Sequence, residues 1–355
     1  MIETAFRIYS KPIGDAYKAF IEDYFGDFSE SGAVLCKLYK EYASLDSNFP
    51  RPILTFLGVN ATSKDLQDIS HFEDVRLLLV PQLIRDFLAI HDDIIDEDLI
   101  KFNSDSLPYA YSKVIEPNSM SMNKWGKDVA LLFGDMQLSA PISIISSLNT
   151  NSVTKQELFK LVSQVLYTTN KGQLEELLFG NVPLKDISSK NLSVMYKNKA
   201  ADYCYAFPLT LGMIYSHIDV SIIKEMRSIM LDIGLYSQII NDIEGVFFEY
   251  FSNERNTLSD LTQLRRTYLL VRLYHQTTNP EVLALLNQTQ LSEEQASTIK
   301  DAMIKSNVIK DVSAEIENAC SEIIRRIKIL DVGIVLKDYL LGLVNNRILA
   351  NIRII

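Results

Sequence analysis

Apolar residues recur along most of this chain at i, i+3, i+4 and i+7, the spacing that lines one face of an α-helix. On that period, helices are predicted over 73–99, 124–147, 155–179, 191–216 and 220–251. Further ones are predicted over 264–277, 292–306 and 311–332, and from 335 to near the C-terminus. Several reach about 25 residues, roughly 35–40 Å of helix. Polar stretches rich in turn residues divide them, among them Asn149-Thr150-Asn151-Ser152 and Thr277-Thr278-Asn279-Pro280. Just 13 glycines and 10 prolines punctuate the 355 residues, and no low-complexity linker or short repeat intervenes. The pattern predicts an all-α fold, one large helical bundle spanning 1–355 with functional groups projecting into its centre.

Composition narrows the partners. The formal net charge is −10 and the isoelectric point about 5.0. Such a field repels polyphosphate backbones and anionic membranes, so no nucleic acid is expected as a partner. A local group of Lys and Arg can still hold a small anion. Cys36, Cys204 and Cys320 are far apart and form no metal-like spacing, which fits a reducing compartment. The N-terminal residues carry Glu3, Arg7 and Lys11 and do not resemble a signal peptide. No stretch reaches about 18 uncharged apolar residues; the richest, 129–145, is broken by Asp135 and Gln137. A cytoplasmic soluble protein without stable membrane insertion is the expectation.

The densest chemistry is His91-Asp92-Asp93-Ile94-Ile95-Asp96-Glu97-Asp98. Asp92 and Asp96 are i and i+4, so their carboxylates share a helix face and repel each other unless a cation pairs them. The residues before them are apolar, which aims the cluster at a cavity. Hard oxygen ligands suit Mg²⁺, which completes its shell with water and substrate phosphate. A solvated acidic helix end would show the same spacing. A second cluster lies at Gln238-Ile239-Ile240-Asn241-Asp242-Ile243-Glu244-Gly245-Val246-Phe247-Phe248-Glu249. Here Asn241, Gly245 and Glu249 repeat every four residues, with oxygen ligands at 241 and 249 and space for a water at Gly245. Two such helices facing one another would hold several divalent ions and assist departure of a diphosphate.

In this order the residues resemble the trans-prenyl diphosphate synthase family over most of the chain. The first cluster is similar to the family's DDxxD motif, and Leu131-Leu132-Phe133-Gly134-Asp135 resembles the apolar helix ending in Gly-Asp. Gly172-Gln173 with Glu175 and Glu176 resembles the GQ motif, and Lys199-Ala200-Ala201 with Pro208-Leu209 the KTA…PL helix. Gln238-Ile239-Ile240-Asn241-Asp242 stands at the second aspartate-rich motif. Ser259-Asp260-Leu261-Thr262-Gln263-Leu264-Arg265-Arg266-Thr267 resembles SDLxxGKRT. The resemblance implies an isoprenoid-synthase bundle with the prenyl tail in a central apolar cavity, a homodimer, and three Mg²⁺ ions, with Mn²⁺ as the alternative. It implies Asp92, Asp96, Asn241 and Glu249 as metal ligands, closely supported by Asp93 and Asp242. Lys199 and Arg265 take catalytic, diphosphate-holding positions; Lys101, Gln238 and Arg266 join them. Phe87 at the cavity floor suggests a tail no longer than about C20 (by resemblance), and Leu88, Tyr203 and Phe207 are further candidate cavity residues.

Several positions depart from the family. Its GGKRxRP loop reads Asp46-Ser47-Asn48-Phe49-Pro50-Arg51-Pro52 here, with Asn48 at the Lys position, and Phe102 replaces the second Arg of its RRG tail. Arg85 stands seven residues before Asp92, where the family often has His. Thus the cations for isopentenyl diphosphate are largely lost, leaving Arg51 and Arg85 to hold it. Asn241-Asp242-xx-Gly245-xxx-Glu249 is closer to the NDxxSxxxE motif of class I terpene synthases. The expectation is therefore a terpene-synthase-like enzyme that ionises an allylic C15–C20 diphosphate and cyclises or quenches the carbocation. The alternative is condensation with isopentenyl diphosphate to give farnesyl or geranylgeranyl diphosphate. A third reading is a catalytically weak partner subunit.

Overall fold

The helical period turns into helices over nearly every predicted segment. The computed structural model describes residues 1–26, 28–45, 48–101, 103–114, 122–247 and 258–352. In chain order α1 (Ile2–Tyr24), α2 (Ala33–Ala43), α3 (Pro50–Val59) and α4 (Arg76–Asp96) lead to an antiparallel hairpin, β1 (Ile100–Lys101) and β2 (Ser104–Asp105). Next come α5 (Leu107–Ser112), α6 (Met122–Ser147), α7 (Ser152–Gly180), α8 (Ser189–Tyr196), a π-helical segment Lys197–Ala206, α9 (Phe207–Tyr215) and α10 (Val220–Phe247). The rest is α11 (Ser259–Thr262), α12 (Tyr268–Gln276), α13 (Pro280–Leu286), α14 (Glu293–Lys305), α15 (Val308–Ile329), α16 (Ile334–Leu343), a second π-helical segment Val344–Leu349, and α17 (Ala350–Ile352). The chain divides into two compact units, Met1–Val162 with Phe207–Asp219, and Ser163–Ala206 with Val220–Ile355.

In the first unit the core is aromatic. Phe133 of α6 meets Phe25, Phe28, Tyr39 and Tyr111 with ring centroids 5.4–6.0 Å apart. Each such ring taken from water contributes about 1.5–3 kcal/mol, and the buried Tyr39 hydroxyl donates to the equally buried Gln137 of α6. That bond lets a polar residue sit mid-helix in the core. By length and composition α6 does qualify as a membrane-crossing helix, against the reading from sequence, but half of its apolar window is buried within the protein.

The α3–α9 contact is closer still. A methyl on Gly58 would overlap the Leu209 carbonyl, and one on Gly212 would overlap the Thr55 carbonyl. Without those methyls the backbones approach near enough for Thr55 Oγ1 to donate to Pro208 O (3.0 Å) and Ser216 Oγ to Val59 O (2.7 Å).

In the second unit α10 is the central helix. Arg326 of α15 ties onto it through Glu225 (2.7 Å) and Asp232 (2.9 Å), and Lys197 reaches the same Asp232 at 2.7 Å. Ser188–Asn191 and Ser292–Gln295 close capping boxes on α8 and α14. The predicted break at 277–280 is built as foreseen: Thr277 ends α12, Asn279 caps α13 and Pro280 opens it.

Three expectations change. The helix predicted over 191–216 is α8, a π segment and α9. Pro208 has no N–H for the Cys204 carbonyl and its ring crowds it, so the α register cannot run straight through. The helix predicted from 264 starts at Tyr268, because Leu264 is left-handed (φ 49°) and Thr267 supplies the cap. The pattern assigns no helix before residue 73, where α1, α2 and α3 lie among the described residues; α2 and α3 span 11 and 10 residues, little length for a period to declare itself. Gly58→Ala should lower the unfolding free energy by about 1–3 kcal/mol or more, since the atoms the methyl would meet are all backbone; urea unfolding of the two proteins measures it.

Candidate active site

The end of α4 sorts its aspartates by face. Asp93 is 1% exposed, whereas Asp92 is half-buried and Asp96 exposed. The Asp93 carboxylate accepts from the Tyr42 hydroxyl (3.3 Å) and lies 2.6 Å from Lys101 Nζ. Burial pushes its pKa up to about 6, with Lys101 opposing the shift. Lys101 gets there because Glu97 ends α4 in a left-handed conformation (φ 57°) and the β1–β2 hairpin, turning through Asn103 (φ 60°), lies back over the last turn. The expected diphosphate ligand Lys101 is thus held by the acidic cluster, 3.9 Å from both Asp92 and Asp98.

The second cluster repeats that plan on α10. Asp242 is buried and accepts from the Tyr196 hydroxyl (2.6 Å) and the Tyr268 backbone N–H (3.0 Å). Burial outweighs these bonds and pushes its pKa up to about 7. Asn241 faces outward; its Nδ2 donates to Gln238 Oε1 at 3.3 Å. Beside Gly245, one oxygen of the Asp260 carboxylate lies 3.2 Å from where a Cβ would stand. The expected ligand Glu249 and the neighbouring Phe248 lie outside the described residues, as does Phe102.

The expected cations have partners. Lys199, on the π segment, donates to Glu176 of α7. Its backbone lies so close to α7 that a methyl on Gly172 would overlap it, a packing reason for the Gly of Gly172-Gln173. Arg265 is half-exposed, 3.7 Å from Asp260 and donating to Gln263 (3.0 Å). Arg266 donates to the Val182 and Leu264 carbonyls (3.4 and 2.8 Å), so its guanidinium braces backbone. Arg85 is 8% exposed and paired at 2.8 Å with Asp86, which also takes bonds from Tyr17 and Gln82. Arg51 is half-buried in the first turn of α3. Among the expected cavity residues, Phe87 is 4% exposed against His91 (centroids 4.4 Å), Phe207 is fully buried, and Leu88 and Tyr203 are half-buried.

The donor chemistry of both half-sites suits Mg²⁺: carboxylate or amide oxygens on an outward face, each above a buried, bonded aspartate. Among the described residues no three His, Cys, Asp or Glu side chains converge enough to hold an ion alone.

Residues 33–305 match the family model for polyprenyl synthetase. The chain belongs to that family. Among curated family members, it is similar to the geranylgeranyl diphosphate synthase of Saccharolobus solfataricus, 23% identical over 210 residues, 58% of either chain. It also matches the geranylfarnesyl diphosphate synthase of Aeropyrum pernix, 22% identical over 63% of this chain and 65% of that one. It therefore spans under two thirds of the length of these relatives. Among solved structures, a Corynebacterium glutamicum geranylgeranyl pyrophosphate synthase, complexed with isoprenyl diphosphate and magnesium, aligns over 98% of this chain and 97% of its own (TM-score 0.81, 18% identity). The shared fold is the all-α isoprenyl synthase fold.

Sequence reasoning passed over two residues at the second cluster. Asp260 was visible inside Ser259-Asp260-Leu261 without a role. Arg347 had no signal at all: its guanidinium donates to Asn241 Oδ1 and to both oxygens of Glu244 (2.7 and 3.3 Å).

Asp242 gives the site a pH signature. Its carboxyl titrates near 7 in the folded protein against 3.8 in the unfolded chain, so the native state binds more protons between those values. Stability is therefore greatest below about pH 4 for this group and is lost as pH rises through about 7. Asp242→Asn keeps the acceptor oxygen but not the titration. Its unfolding free energy, from urea melts at pH 5, 6, 7 and 8, should fall less steeply with pH than the wild type's.

Proposed function

We propose that this chain is a trans-prenyl diphosphate synthase, joining an allylic diphosphate to isopentenyl diphosphate to give a C15–C20 product. The observation that carries this is the paired design of the two acidic clusters, each an outward oxygen face on a buried tyrosine-bonded aspartate, in a chain of the polyprenyl synthetase family. The cyclising, terpene-synthase-like reading is set aside. It rested on the departures at Asn48, Phe102 and Asn241, whereas the family model and the relatives matched are diphosphate synthases. Treating 1–355 as one catalytic domain is supported by an alignment running over 98% of the chain.

Asp92 and Asp96 would hold Mg²⁺ on one cluster and Asn241 on the other, with Glu249 as a further ligand by resemblance. Bound there, the metal supplies Lewis-acid stabilisation of the departing diphosphate. Asp93 and Asp242 fix the faces from behind. Lys199 and Arg265 match diphosphate charge by exchanging Glu176 and Asp260 for phosphate oxygens, charge-assisted bonds of the stronger kind. Gln238 orients Asn241. Arg51 and Arg85 are the remaining candidates for the second diphosphate, and Phe87 for the cavity floor. A cytoplasmic homodimer fits the reading; an apolar stripe on α6, with Leu132 62% and Ile142 55% exposed, supports a second copy as its cover.

Incubation with Mg²⁺ and geranyl, farnesyl or geranylgeranyl diphosphate should yield a longer diphosphate, and only when isopentenyl diphosphate is added. Hydrocarbon or alcohol from a single diphosphate would sink the proposal in favour of cyclisation. Asp92→Ala should lower turnover by about 10²–10³-fold.

A further inference from the structure

Arg347 sits on the second π-helical segment, Val344–Leu349, and reaches the acidic face of α10. π turns are rare and gather at functional sites, and the extra residue in the turn swings the succeeding residues by about 100° relative to an α register. The other π-helical segment, Lys197–Ala206, carries Lys199, one of the cations expected on the diphosphate.

The contacts divide unequally. Glu244 takes Nη1 at 2.7 Å and Nη2 at 3.3 Å, and is held in turn by Asn351 Nδ2 at 2.8 Å. That pair matches charge with charge. Nη2 also donates to Asn241 Oδ1, a neutral amide oxygen and the one the metal needs. A guanidinium has five N–H groups, so Glu244 can anchor it while the bond to Asn241 is given up. Arg347 is about a third exposed, with room to shift.

Resting on the metal role of Asn241, we propose that Arg347 binds the departing diphosphate at the second half-site. Before loading, its guanidinium holds Asn241 Oδ1 where the metal will bind. With Asn241 Oδ1 given up to a metal, Arg347 would remain on Glu244 and have an N–H left for a diphosphate oxygen. Arg347 is then a gate on Asn241 and a counter-charge for diphosphate, two roles that a simple structural ion pair lacks.

The roles predict opposite effects on two ligands. Calorimetry would compare Mg²⁺ alone and Mg²⁺ with inorganic pyrophosphate on the full chain, for wild type, Arg347→Lys and Arg347→Met. Arg347→Met should bind Mg²⁺ alone as well as or better than wild type, and pyrophosphate with Mg²⁺ about tenfold or more weakly. Arg347→Lys, which keeps the charge and the tie to Glu244, should recover pyrophosphate binding to within about threefold. A purely structural Arg347 would lower the melting temperature while leaving both affinities at their wild-type values, and that result overturns the proposal. If wild type binds pyrophosphate no better with Mg²⁺ than without, the metal half-sites are wrong and this assignment falls with them. If wild type shows the Mg²⁺ dependence and Arg347→Met keeps it in full, the Arg347 assignment falls alone.

Discussion

Asp93 and Asp242 are carboxyl groups taken out of water next to other carboxylates, and the rest of each cluster is arranged around that cost. Burial raises both pKa values, to about 6 and about 7, and the bonds they accept recover only part of the loss. Moving these side chains outward would relieve the desolvation but rotate the helix. On α4 it would carry Asp92 and Asp96 away from their common outward face; on α10 it would turn Asn241 inward. Tyr42 and Tyr196 hold the buried oxygens and thereby set the azimuth of the oxygens outside. The costly groups orient the exposed ones.

The same accounting of charge explains why the cations expected on substrate are found on acids. Lys101 lies on Asp93, Lys199 on Glu176, Arg265 near Asp260 and Arg347 on Glu244. Pairs as exposed as Arg265–Asp260 are worth about 0–1 kcal/mol, so a multivalent anion would displace them at little cost. Arg85 and Asp86 are different. They are nearly buried and share bonds with Tyr17 and Gln82, and breaking such a pair leaves an uncompensated charge at a cost of about 3–5 kcal/mol. Arg85 is therefore fixed in its pair, and any anion it met would have to meet the pair as a whole.

Most helices, the break at 277–280 and the two acidic clusters were legible in the chain because each is a short-range pattern, read within one helix. The family resemblance was legible for the same reason. The features that escaped depend on how segments return. Lys101 reaches Asp93 through a left-handed Glu97 and a two-residue strand pair, neither of which leaves a mark on periodicity. The α8–α9 segment reads as one helix until Pro208 is weighed against the Cys204 carbonyl. Asp260 and Arg347 approach α10 from 15 and more than 100 residues away, and no spacing rule connects them. Likewise the Asp260 oxygen beside Gly245 comes from a segment that is not adjacent in sequence.

Condensation would need a second anion cradle, for which Arg51 and Arg85 of the first unit are the proposed cations. Asn48, in place of the family's lysine, has its carbonyl held by Ser10 at 3.0 Å. Phe49 is left-handed (φ 48°), a strained state for an aromatic residue, and its ring is buried against Tyr17 at 5.7 Å. Tyr17 in turn bonds Asp86, the partner of Arg85. The stretch leading into Arg51 and the buried Arg85 are thus joined through one tyrosine of α1. Arg85 is braced against α1 through Asp86 and Tyr17, while Arg51 stands two residues after the buried Phe49. Such bracing fixes the Arg85 charge in place at the expense of reach, so a second diphosphate held there would bear on Tyr17 and Asp86 as well.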